Sequence, residues 1–168
     1  MNVTKPLVIN GWNIFGHSLF LDQLESLIKE VELLSQKDIN FKKKNVTKRL
    51  AAIFKLAFEI IPQDPTLPEY RQGITLGDTY KHWFRAKFFQ QYRLFFRYHS
   101  ASKVIVYTWV NDDSNKRAYN SKTDAYLTFK KMLNNGYPPN NWEQLIKEAK
   151  LETNRLNKIV SNLDKIKP

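Results

Sequence analysis

Residues 83–98 read WFRAKFFQQYRLFFRY. Twelve of these sixteen residues are aromatic or permanently basic, and none is acidic. Read as a β-strand, Phe84–Phe89 puts Arg85 and Lys87 on one face and Phe84, Ala86 and Phe88 on the other. On the strand that follows, Arg93, Phe95 and Arg97 share a face, and Tyr92, Leu94, Phe96 and Tyr98 share its opposite. A two-residue Gln90-Gln91 loop sets Lys87 opposite Leu94 and splits the cations between faces. A three-residue Phe89–Gln91 loop sets Lys87 opposite Arg93 and Arg85 opposite Phe95, gathering all four cations on one side. The second register is preferred because it avoids burying charge.

Two readings of that basic face stand side by side: a solvated strand surface, or a concave surface on which arginine forks grip a phosphate backbone. The whole chain leans toward the second. Twenty-seven Lys and Arg against sixteen Asp and Glu give a net charge of +11 and an isoelectric point near 9.7. Such a balance favours a polyanionic partner. The excess is local: residues 37–55 hold seven basic side chains and one acidic, as do residues 71–103, whereas residues 1–36 hold two basic and four acidic.

At 168 residues the chain reads as one domain, 1–168, long enough to bury a core without staples. There is no cysteine, so neither disulfides nor thiolate metal sites enter, which fits a reducing cytoplasm. The start MNVTKPLVING lacks the pattern of a secretory leader. No apolar run approaches the roughly 20 residues that span a bilayer. The expected address is cytoplasmic, with no membrane partner.

Around the basic strands, residues 7–15 (LVINGWNIF) read as a first strand with Gly11 at a bulge. A helix follows, with Leu24, Leu27, Ile28, Val31 and Leu34 inward and Asp22 with Glu25 as a capping box. A second runs from Val46 to Ile61, stopped by Pro62, Pro65 and Pro68. Residues 71–76 predict a short strand, and Lys103–Val110 the last one. Ser121-x-x-Asp124 caps a helix with Tyr126, Phe129 and Leu133 inward. Asn141-x-x-Gln144 caps one long final helix. The fold class is α+β, a small antiparallel sheet packed against helices.

The chemistry available is narrow. His17, His82 and His99 lack metal-ligand spacing, and Asp112-Asp113 suits a turn better than a metal site. No glycine-rich phosphate loop, nucleophile elbow or triad pattern occurs. No cofactor or metal is expected. An enzyme built here must work with Arg, Lys and Tyr, which suits phosphate chemistry. Crowding by other cations also makes Lys87 a candidate for proton transfer.

Asn10-Gly11-Trp12 with His17, Tyr92-Arg93-Leu94-Phe95-Phe96-Arg97-Tyr98, Trp109-x-Asn111-Asp112, Lys122-Thr123-Asp124-Ala125-Tyr126 and Gly136-x-Pro138-Pro139-x-x-Trp142 occur in one order at coherent spacing. Over residues 7–150 the chain closely resembles the YhaV family of bacterial toxins, members of toxin–antitoxin pairs with a RelE-like ribonuclease fold. Residues 151–168 read as a C-terminal helix extension beyond the resemblance. The resemblance implies a metal-independent endoribonuclease that cleaves mRNA on translating ribosomes. It also implies a cognate antitoxin, an AbrB-like swapped-hairpin dimer, and operator DNA contacted only through the toxin–antitoxin complex.

Carried over residue by residue, Arg85 and Lys87 match the paired basic positions of the central strand, and Arg93 the arginine of the next. Arg117 and Tyr119 resemble an Arg…Tyr pair beyond the last strand, though many RelE-like members space that pair more widely. Phe89–Gln91 lacks the glycine often found there, so the hairpin register stays open. Arg85 and Arg93 are assigned to phosphate stabilisation, Lys87 to phosphate contact and general base, Arg117 to the phosphate or leaving group, and Tyr119 to stacking or proton donation. Arg97 and Lys81, with Lys48 and Arg49 of the other basic segment, are candidate outer contacts to the RNA backbone. The competing readings are a protein that binds RNA or the ribosome and blocks translation without cutting, and a gyrase-directed toxin. The strand cations argue against the latter.

Overall fold

Asn10 and Gly11 both adopt left-handed backbone, with φ of 51° and 82°. Two successive positive φ values make the tight turn that matches the twist of paired strands. The first apolar run is therefore not one strand with a bulge but a hairpin: β1 (Leu7–Ile9) and β2 (Trp12–Gly16), with Ile9 opposite Trp12. The computed structural model describes residues 5–116, 118 and 124–165.

After β2 the chain enters α1 (Ser18–Lys37), capped by His17, whose Nδ1 accepts from the Leu19 amide at 3.3 Å. Asp22 and Glu25 do not cap α1; both receive the guanidinium of Arg155. Then comes α2 (Asn45–Lys55), widened into a π-helical turn over Leu56–Ile60 before Pro62. The basic strands are β3 (Phe84–Phe88) and β4 (Tyr92–His99), followed by β5 (Val104–Val110). The expected strand at 71–76 reduces to a single bridge between Arg71 and Phe84. Its physical reason is Gln72, which is buried and takes over the local pairing. Its Oε1 accepts from the Leu76 amide at 2.9 Å, and its Nε2 donates to the Tyr80 carbonyl at 2.9 Å.

The sheet runs β1-β2-β5-β4-β3. Its pairs are antiparallel except β2 with β5, which is parallel. The α+β class stands, and the sheet is mixed. Between β3 and β4, Lys87 faces Arg93 and Arg85 faces Phe95, so the connection is the three-residue loop 89–91. Phe89 and Gln90 supply the left-handed turn that a glycine would otherwise make, at φ of 45° and 63°.

Both faces of the sheet are covered. On one, Ile14, Leu94, Phe96, Ile105 and Tyr107 pack with α1, α2 and α5 (Thr153–Lys165). On the other, Phe15, Trp83, Phe95 and Val106 pack with α3 (Ala125–Asn134) and α4 (Trp142–Leu151). The last helix expected as one piece breaks at Glu152, and Thr153 Oγ1 donates to the Lys150 carbonyl at 2.6 Å. A bulge shifts the β4–β5 register: Phe95 faces Trp109 but Phe96 faces Tyr107. Thr108, left over, donates through its hydroxyl to the Phe95 carbonyl at 2.9 Å. The bulge turns Trp109 to the side of Phe95, and both rings stack on Phe129 of α3, at 5.8 and 4.2 Å. A large side chain buried in this way stabilises by about 1.5–3 kcal/mol, and the stack fixes where α3 lies on the sheet.

Gly16 ends β2 where the chain turns into α1. A Cβ there would stand 2.7 Å from Cδ2 of Leu21, a fully buried side chain. Gly16→Ala is expected to cost about 1–3 kcal/mol, the usual range for overpacking, read as a lower midpoint in denaturant unfolding.

Candidate active site

The basic face of the β3–β4 hairpin is not open to water along its length. Arg85 and Arg93 are 9 % and 7 % exposed, so the register that gathers the cations buries two of them rather than sparing the core. What makes burial tolerable is a set of oxygen acceptors. Tyr126, on the first turn of α3, accepts at its hydroxyl from Arg85 Nε (2.8 Å) and Arg93 Nε (3.1 Å). Arg85 Nη1 donates to the Glu69 carbonyl at 2.7 Å. Arg93 Nη1 donates to the carbonyls of Gln90 (2.7 Å) and Tyr92 (2.9 Å). Among the described residues, neither guanidinium has a carboxylate partner. Two buried positive charges are thus held by neutral oxygens, and an anion arriving at this face gains what no side chain here already supplies.

The placement of these groups is determined locally. Asp124 caps α3, its Oδ2 accepting from the Tyr126 amide at 3.0 Å, while Oδ1 accepts from the Ala118 amide at 2.7 Å. Asn111, fully buried after β5, accepts from the Arg93 amide at 2.6 Å. Its Nδ2 donates to the carbonyls of Gln91 and Asn115, both at 3.0 Å. The base of the hairpin and the end of β5 therefore move as one unit.

Lys87 lies on the Arg85 side of β3 and is exposed. Arg97 is half-buried between the rings of Trp83 and Trp142, at 5.3 and 5.1 Å, and its Nη1 donates to the Asn140 carbonyl at 2.7 Å. Burial pushes its pKa down to about 10, so it stays charged at neutral pH. It ties the start of α4 to the sheet. Lys81 is exposed and pairs with Asp78 at 3.2 Å. Lys48 is exposed on α2. Arg49 is buried on the opposite face of the sheet, over the Tyr92 ring at 5.0 Å and 3.8 Å from Asp113. Arg117 and Tyr119 lie outside the described residues. The structure brings Arg85, Lys87 and Arg93 together, leaves Lys48 and Arg49 on another element, and adds Tyr126. Inward spacing on its helix makes Tyr126 read as core; the one local signal is its place two residues after the capping Asp124.

Beside this centre lies a cleft of about 830 Å³ whose lining includes Arg85 and Lys87. Among the described residues, no three His, Cys, Asp or Glu side chains converge as a metal site would require, and no helix is long and apolar enough to cross a membrane.

The fold is an α+β scaffold carrying a buried basic centre, and comparison with known proteins gives its class. The profile of the YhaV toxin family, described as a toxin with endonuclease activity of a toxin–antitoxin system, matches residues 14–150. The chain is 44% identical over 147 residues to the ribonuclease toxin YhaV of Escherichia coli K12, covering 86% of this chain and 96% of the relative. The same figures hold for toxin YhaV of Escherichia coli O157:H7. No solved structure matches the chain significantly. The chain belongs to the YhaV family of toxins with endonuclease activity, and membership in a toxin–antitoxin system gives it a cognate antitoxin as partner.

Tyr126→Phe is expected to remove the acceptor shared by the two guanidiniums at a cost of about 1–3 kcal/mol. Chemical denaturation reads the stability loss, and RNA cleavage should fall with it at a temperature where the variant remains folded. A second expectation concerns His82, which meets Asn140 Oδ1 at 2.5 Å. Burial holds its pKa below the ordinary 6.5, against the raising effect of that hydrogen bond. A depressed folded-state value means the contribution is present above 6.5 and is lost as pH falls through that value toward the folded one. The unfolding midpoint should therefore drop on acidification below 6.5, and His82→Gln should flatten that step.

Proposed function

We propose that this protein is an mRNA endoribonuclease whose phosphate-activating centre is Arg85 and Arg93, with Tyr126 as the residue that positions both. The observation that carries this reading is the pair of buried guanidiniums with neutral acceptors and no carboxylate among the described residues. Such a pair is matched to an anion whose charge grows during reaction. In RNA cleavage the 2′-hydroxyl attacks the adjacent phosphorus; the new O2′–P bond forms as the P–O5′ bond breaks. The products are a 2′,3′-cyclic phosphate and a 5′-hydroxyl. The proton lost from the 2′-hydroxyl goes to a base, and one is delivered to the departing 5′-oxygen. Preorganised donors aimed at the non-bridging oxygens contribute about 3–4 kcal/mol each to lowering such a barrier. Lys87, exposed beside them, contacts the phosphate and serves as the base; Arg117 and Tyr119 act on the leaving side. The reaction uses no metal.

The same reading puts the protein in the cytoplasm, acting on mRNA engaged by translating ribosomes, with the outer cations Lys81, Arg97 and Lys48 adding salt-dependent affinity for the backbone; Arg49, buried on the opposite face against Tyr92 and Asp113, is not one of them. Its antitoxin is an AbrB-like swapped-hairpin dimer, and operator DNA is contacted only through the complex of the two. The relative from Escherichia coli K12 is named a ribonuclease toxin, which supports RNA as the substrate.

The test is a cell-free translation reaction with one defined mRNA, mapping 5′ ends by primer extension. Native protein should create new ends within the coding region, and Arg85→Ala, shown folded by circular dichroism, should lower their yield at least about 100-fold, the loss of one donor aimed at developing charge. Arg85→Lys, which keeps charge but not the fork, should fall between. Blocked translation with intact mRNA would make this a binding inhibitor instead.

A further inference from the structure

The cleft beside the centre has an ordered polarity that phosphate chemistry alone does not use. β3 is the outermost strand of the sheet, bridged on its outer side to Arg71 at Phe84, and a cleft of about 830 Å³ is lined by its residues 85–87 and by the 56–71 segment. Arg85 and Lys87 stand on the strand wall, with Arg71 also lining the cleft. Leu56, Ile60, Leu67 and Pro68 supply apolar lining, and Ile60 and Leu67 remain 41% and 36% exposed. Glu59 and Glu69, both exposed, bring carboxylates to the same lining. One ligand class offers cation-seeking, apolar and donor-bearing parts in a single unit: a nucleotide, with its phosphate, the flat faces of its base and the polar edge of that base. A volume of this size accepts a base and its sugar with room for a neighbour. Single-stranded RNA is the form whose bases are free to enter such a recess.

Resting on the reading of Arg85 and Arg93 as the RNA-cleaving centre, we propose that this cleft seats the base next to the scissile phosphate and prefers guanine. Proximity to the reacting phosphate follows from one hydrogen bond: Arg85 Nη1 donates to the carbonyl of Glu69, itself part of the cleft lining. The guanidinium at the phosphate is thereby fastened to the base seat. The preference follows from the carboxylates, which offer acceptors only. Guanine alone has two adjacent donors, N1–H and the N2 amino group, on its pairing edge, and a carboxylate accepts both. Adenine and cytosine each set an acceptor nitrogen beside their amino group, and uracil flanks its single imino donor with two carbonyls that repel the carboxylate.

Mapping every cut made in cell-free translation of an mRNA with balanced base usage tests this. Native protein should cut next to guanine over uracil by roughly tenfold, as one bidentate pair allows. The double variant Glu59→Gln, Glu69→Gln keeps the Glu69 backbone carbonyl and should reduce that ratio to about threefold or less. Ile60→Glu, which puts a charge where the base face rests, should lower cutting at all sites while leaving the unfolding midpoint unchanged. Native cuts without base bias, or a pattern that the double variant leaves unaltered, would overturn the proposal. So would variants that cleave with native yield and pattern but escape neutralisation by the antitoxin, which would make the cleft a protein-docking groove. If instead Arg85→Ala cleaves like native protein, the reading of the centre itself falls, a result separable from failure at the cleft.

Discussion

One hydroxyl group organises this molecule's chemistry. Tyr126 accepts from the Nε atoms of Arg85 (2.8 Å) and Arg93 (3.1 Å), so these two nitrogens lie no more than about 6 Å apart. At an effective dielectric of 20, two unit charges at that distance repel by about 3 kcal/mol, and the pair is mostly out of water. Two hydrogen bonds hold the Arg85 guanidinium and three hold that of Arg93, to the Tyr126 hydroxyl and to backbone carbonyls, against that repulsion. The result is a pair of fixed guanidiniums, and on the proposed reading they meet a phosphate already in place, the condition under which donors are most effective.

Much of the architecture serves to keep that arrangement. The bulge at Thr108 aims Trp109 at the same side as Phe95, and both rings hold Phe129, hence α3, against the sheet. The Asp124 cap sets the first turn of α3, and with it Tyr126. Asn111 joins the hairpin base to the end of β5. Arg97, between Trp83 and Trp142, anchors α4 over the same face. The outer edge of β3 carries the exposed cation Lys87, a common way to keep a free strand edge from pairing with another chain, and here that cation also stands beside the two guanidiniums.

The strands were the most legible part of the sequence because their alternation is strict: once charges and rings separate by parity, only the loop length is free. The preferred register is the observed one, but the reason for it needs revising. Charge was expected to stay in water, whereas Arg85 and Arg93 are buried and satisfied by oxygens from the distant residues Tyr126 and Glu69, which no local pattern announces. Tyr126 itself sits at a core-facing helical position, so periodicity describes its direction and hides its hydroxyl. The Asn10-Gly11 turn was present as a strong hairpin signal, obscured by apolar residues on both sides that read as one run. The parallel contact of β2 with β5 joins segments about 90 residues apart, a pairing that depends on the packed helices between them.

The most direct measurement is the chemistry of the cut ends. RNA fragments purified from the native protein's reaction in cell-free translation would be analysed by mass spectrometry and by substituting a 2′-deoxynucleotide at one mapped site. Attack by the 2′-hydroxyl on a phosphate held by Arg85 and Arg93 predicts a 2′,3′-cyclic phosphate on the upstream fragment, a 5′-hydroxyl downstream, and no cut at the deoxy position. A 5′-phosphate with a 3′-hydroxyl, or undiminished cutting at the deoxy site, would contradict it.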